Sequence, residues 1–101
     1  MNTFISTGQF DAWFAKLKDR TARTRIFNRI DSAVLGNFGD CKSVGDGVSE
    51  MRIHVGSGYR VYFAKKADVV YLLLCGGDKS TQSKDIKQAI TLWKTIKESE
   101  Q

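Results

Sequence analysis

Two alternating segments folded about a glycine turn, followed by an unbroken apolar run, constrain this chain more than any other feature. Residues 48–55 read Val-Ser-Glu-Met-Arg-Ile-His-Val, and residues 59–65 read Tyr-Arg-Val-Tyr-Phe-Ala-Lys. Alternation at period two is the mark of a strand with unlike faces. Between them, Gly56-Ser57-Gly58 supplies the positive φ that a short hairpin loop needs. Pairing Val55 with Tyr59 gives a three-residue loop, sets Ile53 opposite Val61, and sets Met51 opposite Phe63. Lys66-Ala67-Asp68 then turns the chain into residues 69–75, Val-Val-Tyr-Leu-Leu-Leu-Cys. So apolar and β-rich a run predicts a strand at the centre of the sheet, covered on both faces. Gly76-Gly77 is expected to break it. Residues 41–45 add a short strand ahead of the turn Gly45-Asp46-Gly47.

The N-terminal part keeps a helical period. After a short strand at residues 2–6, Phe10, Trp13, Phe14 and Leu17 share one helical face. Thr7 is placed to cap that helix, with Asp11 in its first turn. A second helix is expected from Thr21 to Leu35, with Ile26, Ile30, Ala33 and Val34 inward and Gly36 just past its end. Its arginines, Arg20, Arg23, Arg25 and Arg29, are expected on a solvated outer surface. A last helix is expected over residues 82–98, with Ile86, Ala89, Ile90, Trp93 and Ile96 as its buried stripe. The order β-α-α-β-β-β-α predicts an α+β fold: an N-terminal strand and helical hairpin packed on an antiparallel meander, with a C-terminal helix.

The 101 residues fit one domain, 1–101, and the 42% hydrophobic and 27% charged composition is that of a globular chain. No apolar run approaches the ~20 residues that a bilayer requires. The start Met-Asn-Thr-Phe-Ile-Ser has no basic-then-apolar pattern, so a cytoplasmic protein is expected. Cys41 and Cys75 stand far apart without a second metal-ligating neighbour, which predicts thiols rather than a zinc site, and no cofactor. The net charge of +5 suits a polyanion or an acidic protein partner.

The hairpin's second face carries Glu50, Arg52, His54, Arg60 and Tyr62. The three-residue loop sets His54 across from Arg60 and Arg52 across from Tyr62, within cross-strand reach. Two readings stand. One is a solvated sheet face, with Glu50 offsetting an arginine. The other is a phosphate site. Arginine's planar fork binds phosphate oxygens in pairs, histidine exchanges a proton near neutral pH, and tyrosine stacks on bases.

The string from Glu50 to Phe63, with Glu50-Met51-Arg52 and Gly56-Ser57-Gly58-Tyr59-Arg60-Val61-Tyr62, resembles the central hairpin of RelE/ParE-superfamily toxins. It is most similar to the HigB-like "addiction module killer protein" branch, which is related to phage Gp49-like proteins. Gly36-Asn37-Phe38-Gly39-Asp40 with Lys42, Leu73-Leu74, and Gly76-Gly77-Asp78-Lys79-Ser80 with Gln82, Asp85-Ile86 and Ala89 extend the resemblance along nearly the whole chain.

The resemblance implies the toxin of a type II toxin–antitoxin pair. RelE- and HigB-like members are metal-independent endoribonucleases that cut messenger RNA in the ribosomal A site. A small helix-turn-helix antitoxin of the HigA-like kind blocks them and represses the shared operon. On this reading Arg60 grips the phosphate, Arg52 assists, and His54 is the acid–base candidate. Tyr62 either orients substrate or packs. Lys79 and Lys42 match basic positions, and Lys42 reads equally as a solvated lysine. The chain has no tyrosine after Tyr71, where RelE-like relatives often place a catalytic one. ParE-like members share the fold and poison DNA gyrase without cutting RNA, and a decayed module that only binds its antitoxin is a third possibility.

Overall fold

The computed structural model describes residues 1–100. The elements are β1 (Thr3–Ser6), α1 (Gly8–Lys16), α2 (Arg20–Val34), β2 (Cys41–Gly45), β3 (Val48–Ile53), β4 (Tyr59–Ala67), β5 (Val70–Asp78) and α3 (Gln82–Ser99), with a single 3-10 turn at Lys79–Thr81 before α3. The five strands form one sheet in the order β1-β5-β4-β3-β2. The architecture is α+β, as expected, with β2 to β5 antiparallel.

The sheet is mixed rather than purely antiparallel, because β1 lies parallel to β5, with Thr3 opposite Val70 and Ser6 opposite Leu73. The pairing fills the outer edge of β5, so β5 is an interior strand and β4 is the central one. Thr7 holds the junction. Its hydroxyl accepts from the Phe10 amide at 3.1 Å, capping α1, and donates to the Leu74 carbonyl at 2.8 Å. At the far end of α2, Gly36 takes φ +96° just past the helix.

Each face of the sheet has its own core. Phe10, Ile26, Ala33, Met51, Ile53, Val61, Phe63 and Leu73 bury one face beneath α1 and α2. Val48, Tyr62, Ala64, Leu72, Leu74, Cys75, Ala89 and Trp93 bury the other beneath α3. Covering both faces explains why β5 reads as continuously apolar. It also changes the meaning of Gly76-Gly77, which does not end the strand. A Cβ on Gly76 would sit 2.4 Å from the Trp13 ring, and one on Gly77 would sit 1.8 Å from Asp85 Oδ2. The two glycines let α1 and α3 approach the same strand from opposite sides.

The central hairpin is paired two residues away from the expected register. Ile53 faces Tyr59, Arg52 faces Arg60, Met51 faces Val61 and Glu50 faces Tyr62. The strands end earlier, and residues 54–58 form the loop. Gly56 and Gly58 take φ +56° and +77°, and the Gly58 amide donates to the Val55 carbonyl at 3.0 Å. A shift of two keeps each residue on its face, so the division into apolar and polar faces survives while every cross-strand partner changes. The polar face is solvated only in part, since α3 covers its Glu50–Tyr62 end while His54 at the loop end stays exposed.

Two of the α2 arginines also depart from expectation. Arg23 Nη1 donates to the carbonyls of Phe14 and Leu17 at 2.5 and 3.1 Å, with its guanidinium 4.5 Å over the Phe14 ring. Arg29 donates to the carbonyls of Arg52, Phe38 and Asp40. Both close backbone acceptors that a loop would otherwise leave open. Arg20 and Arg25 are exposed, as the sequence suggests.

Candidate active site

At the loop end of the β3–β4 hairpin, Arg52 and Arg60 are direct cross-strand partners. Behind them lies Glu50, wholly buried. Its Oε1 accepts from Arg52 Nε at 3.1 Å, and its Oε2 lies 3.7 Å from Arg60 Nε. Gln82, the first residue of α3, donates its side-chain amide to both carboxylate oxygens at 3.3 and 3.0 Å. A carboxylate so enclosed is tolerable only when its lone pairs are met in this way. Arg60 Nη1 also donates to the Gly58 carbonyl at 2.8 Å, which ties its tip to the hairpin loop.

Beside the pair, residues His54, Val55, Gly56, Ser57, Gly58, Arg60 and Lys79 line an open hollow of about 500 Å³. The loop forms its floor, Arg60 reaches in from β4, and Lys79 comes from the turn before α3. Asp78 shapes that turn by accepting from the Ser80 amide and hydroxyl at 2.9 and 2.5 Å. These bonds, chiefly the one from the Ser80 hydroxyl, hold the Asp78 carboxyl below its usual range.

His54 has left the strand and is largely exposed, with Nε2 2.5 Å from Asp40 Oδ2. That hydrogen bond is the main reason the Asp40 carboxyl sits below its ordinary value, and the nearby Arg52 charge adds to it. Asp40 is itself placed by backbone contacts. Its carbonyl accepts from the Arg52 amide at 2.9 Å and from Arg29 Nη2 at 3.2 Å. With Nε2 engaged by a carboxylate, the imidazole's Nδ1 is the nitrogen left for a substrate. Among the described residues, no group of three or more His, Cys, Asp or Glu is arranged to hold a metal.

The family model described as phage-derived protein Gp49-like (DUF891) matches residues 12–97, a span holding every residue of this cluster. The chain belongs to the Gp49-like family. This family, of the RelE/HigB-like toxin type, is associated with the toxins of toxin–antitoxin systems. The Gp49-like chain is also 56% identical, over 84 residues, to a protein of Haemophilus influenzae (strain ATCC 51907 / DSM 11121 / KW20 / Rd) described as uncharacterized. The match covers 83% of this chain and 85% of that one.

Among the residues singled out in the sequence, the Gp49-like fold gathers His54, Arg60 and Lys79 around the hollow and joins Arg52 to them through Glu50. It leaves two outside. Lys42 is exposed on the edge strand β2 and does not line the hollow. Tyr62 is fully buried under α3, and its hydroxyl has no hydrogen-bond partner. Burial, then the charges of Glu50 and Asp85, push its phenol well above the ordinary value. A ring enclosed in this way packs the core and does not stack on a base.

Glu50, Gln82 and Asp40 are the residues whose part in the site only the structure brings out. The alternation already put Glu50 on the face of the arginines, but its burial depends on α3, which packs there from 32 residues away. Asp40 meets His54 only because the hairpin loop releases His54 from the strand.

Proposed function

We propose that this Gp49-like protein is the toxin of a type II toxin–antitoxin pair and that it cleaves messenger RNA on the ribosome. The reading takes residues 1–101 as one toxin domain acting in the cytoplasm, blocked by a cognate helix-turn-helix antitoxin of the HigA-like kind. The observation that carries it is Arg60, paired across the strands with Arg52, lining a hollow that His54 and Lys79 also line.

The RNA supplies its own nucleophile, the 2′-OH next to the scissile phosphate. That oxygen bonds to phosphorus, the bond to the 5′-oxygen breaks, and a 2′,3′-cyclic phosphate remains. The protein has to accept the 2′-OH proton, neutralise charge growing on the phosphate, and ease departure of the 5′-oxygen. His54 Nδ1 takes the proton, and Asp40 stabilises the resulting imidazolium through Nε2. Arg60 and Arg52 hold the phosphate oxygens. Lys79 places its ammonium near the leaving oxygen, which picks up its proton from water in the open hollow.

The test is to express the chain without its antitoxin beside Arg60→Ala and to map RNA 5′ ends. New cuts at codon spacing within translated messages, absent in the variant, support the reading. Growth arrest with intact messages and broken DNA would replace it with gyrase poisoning. Normal growth of the wild type would leave a module that only binds its antitoxin.

A further inference from the structure

We propose that Glu50 is a positioning residue that makes Arg52 and Arg60 act as one phosphate clamp. The inference rests on the nuclease reading above and adds the residue on which its geometry depends.

Glu50 is a wholly buried carboxylate in a site built to hold an anion. Electrostatics alone would place no negative charge there, because it weakens attraction for a phosphate. Its contacts supply a reason. It engages Arg52 through Nε, and Arg60 Nε lies 3.7 Å from its second oxygen. Arg52 makes no other side-chain hydrogen bond among the described residues, and Arg60 makes only the one to Gly58. Arg52, hydrogen-bonded at its Nε edge, keeps its terminal N–H donors for a ligand, whereas the buried Arg60 Nε has no hydrogen-bond partner and is held to Glu50 by charge attraction.

Two like charges on facing strands would repel and splay. The shared carboxylate holds them together, and the Gln82 amide fixes the carboxylate in turn. The guanidiniums are therefore ordered before substrate arrives, with side chains only 28% and 13% exposed. Such preorganisation acts on the transition state, where misplacement by an ångström is costly, more than on ground-state binding.

The charge and the placement predict opposite effects, so Glu50→Gln separates them. The experiment measures cleavage of ribosome-bound messenger RNA by purified wild type, Glu50→Gln and Gln82→Ala, with thermal unfolding of each. Positioning predicts that Glu50→Gln lowers kcat by about tenfold or more while KM stays within about threefold or falls, since a repulsive charge has gone. Gln82→Ala keeps the charge but loosens it, and lowers kcat in the same direction by a smaller factor.

A Glu50→Gln enzyme with wild-type or higher kcat overturns the proposal, and so does a raised KM at unchanged kcat. If Glu50→Gln does not fold, Gln82→Ala carries the test, and unchanged kcat there overturns it. A wild type that cuts no RNA removes the nuclease reading and the clamp with it. An active wild type with an equally active Glu50→Gln removes the clamp alone.

Discussion

The side-chain amide of Gln82 donates to both oxygens of the Glu50 carboxylate, at 3.3 and 3.0 Å, and so pins the first turn of α3 to the middle of β3. The bond crosses from the α3 side of the sheet to the residue that holds both site arginines. Packing and site are thus joined at one point.

The Asp40–His54 pair gives the first prediction. Under the proposed mechanism, Asp40→Asn removes the charge that would steady a His54 imidazolium, and RNA cleavage at neutral pH should fall by about tenfold or more with the fold intact. The sign of the acid dependence follows from the lowered Asp40 carboxyl. The pair is whole above the ordinary aspartate range and is lost as pH falls through the folded-state value. A pH–rate profile of wild type against Asp40→Asn checks both points, and equal rates at neutral pH would dismiss the dyad.

Tyr62 gives a prediction of opposite character. Its hydroxyl is buried without a partner, so Tyr62→Phe should leave stability unchanged or raise it by about 1 kcal/mol. Cleavage should persist. Tyr62→Ala should cost about 3–5 kcal/mol, as loss of a large core ring does. The raised phenol favours the neutral form in the fold. Wild type should therefore lose stability as pH rises above the ordinary tyrosine value of about 10, and Tyr62→Phe should lose less. Urea unfolding across alkaline pH measures this.

The α2 arginines should separate into two kinds. Arg29→Ala strips donors from the carbonyls of Arg52, Phe38 and Asp40, and should destabilise by about 2–3 kcal/mol. Arg25→Ala, on an exposed surface, should stay within about 0.5 kcal/mol. Equal effects in denaturant titrations would refute the division.

Gly77→Ala should be among the most damaging substitutions in β5. Its methyl would fall 1.8 Å from Asp85 Oδ2, which already accepts from the Thr81 hydroxyl at 2.5 Å. Displacing α3 should cost about 3 kcal/mol or more, or prevent folding. A soluble variant with wild-type Tm would show that α3 yields at no cost.

What the sequence revealed follows the range of the interactions. Thr7 as a cap, Gly36 past α2, and the Ala89–Trp93 stripe depend on neighbours within a turn or two, and they are readable. The two hairpin faces are readable because side-chain direction has period two. The register is not, because pairing Ile53 with Tyr59 or with Val61 leaves every side chain on the same face. Gly76-Gly77 looks like a breaker until both helices are in place. Arg23 and Arg29 look solvated until the loops they close are seen. Glu50 and Asp40 acquire their roles from residues distant in sequence, which no local pattern encodes.

The parallel pairing of β1 with β5 imposes an order on synthesis. The first strand made finds its neighbour only when Val70 and the residues after it have left the ribosome. The Glu50 carboxylate waits longer, for Gln82. Both the outer edge of the sheet and the Glu50–Gln82 contact therefore close only after segments far along the chain are available, so the two are late events in folding for the same reason.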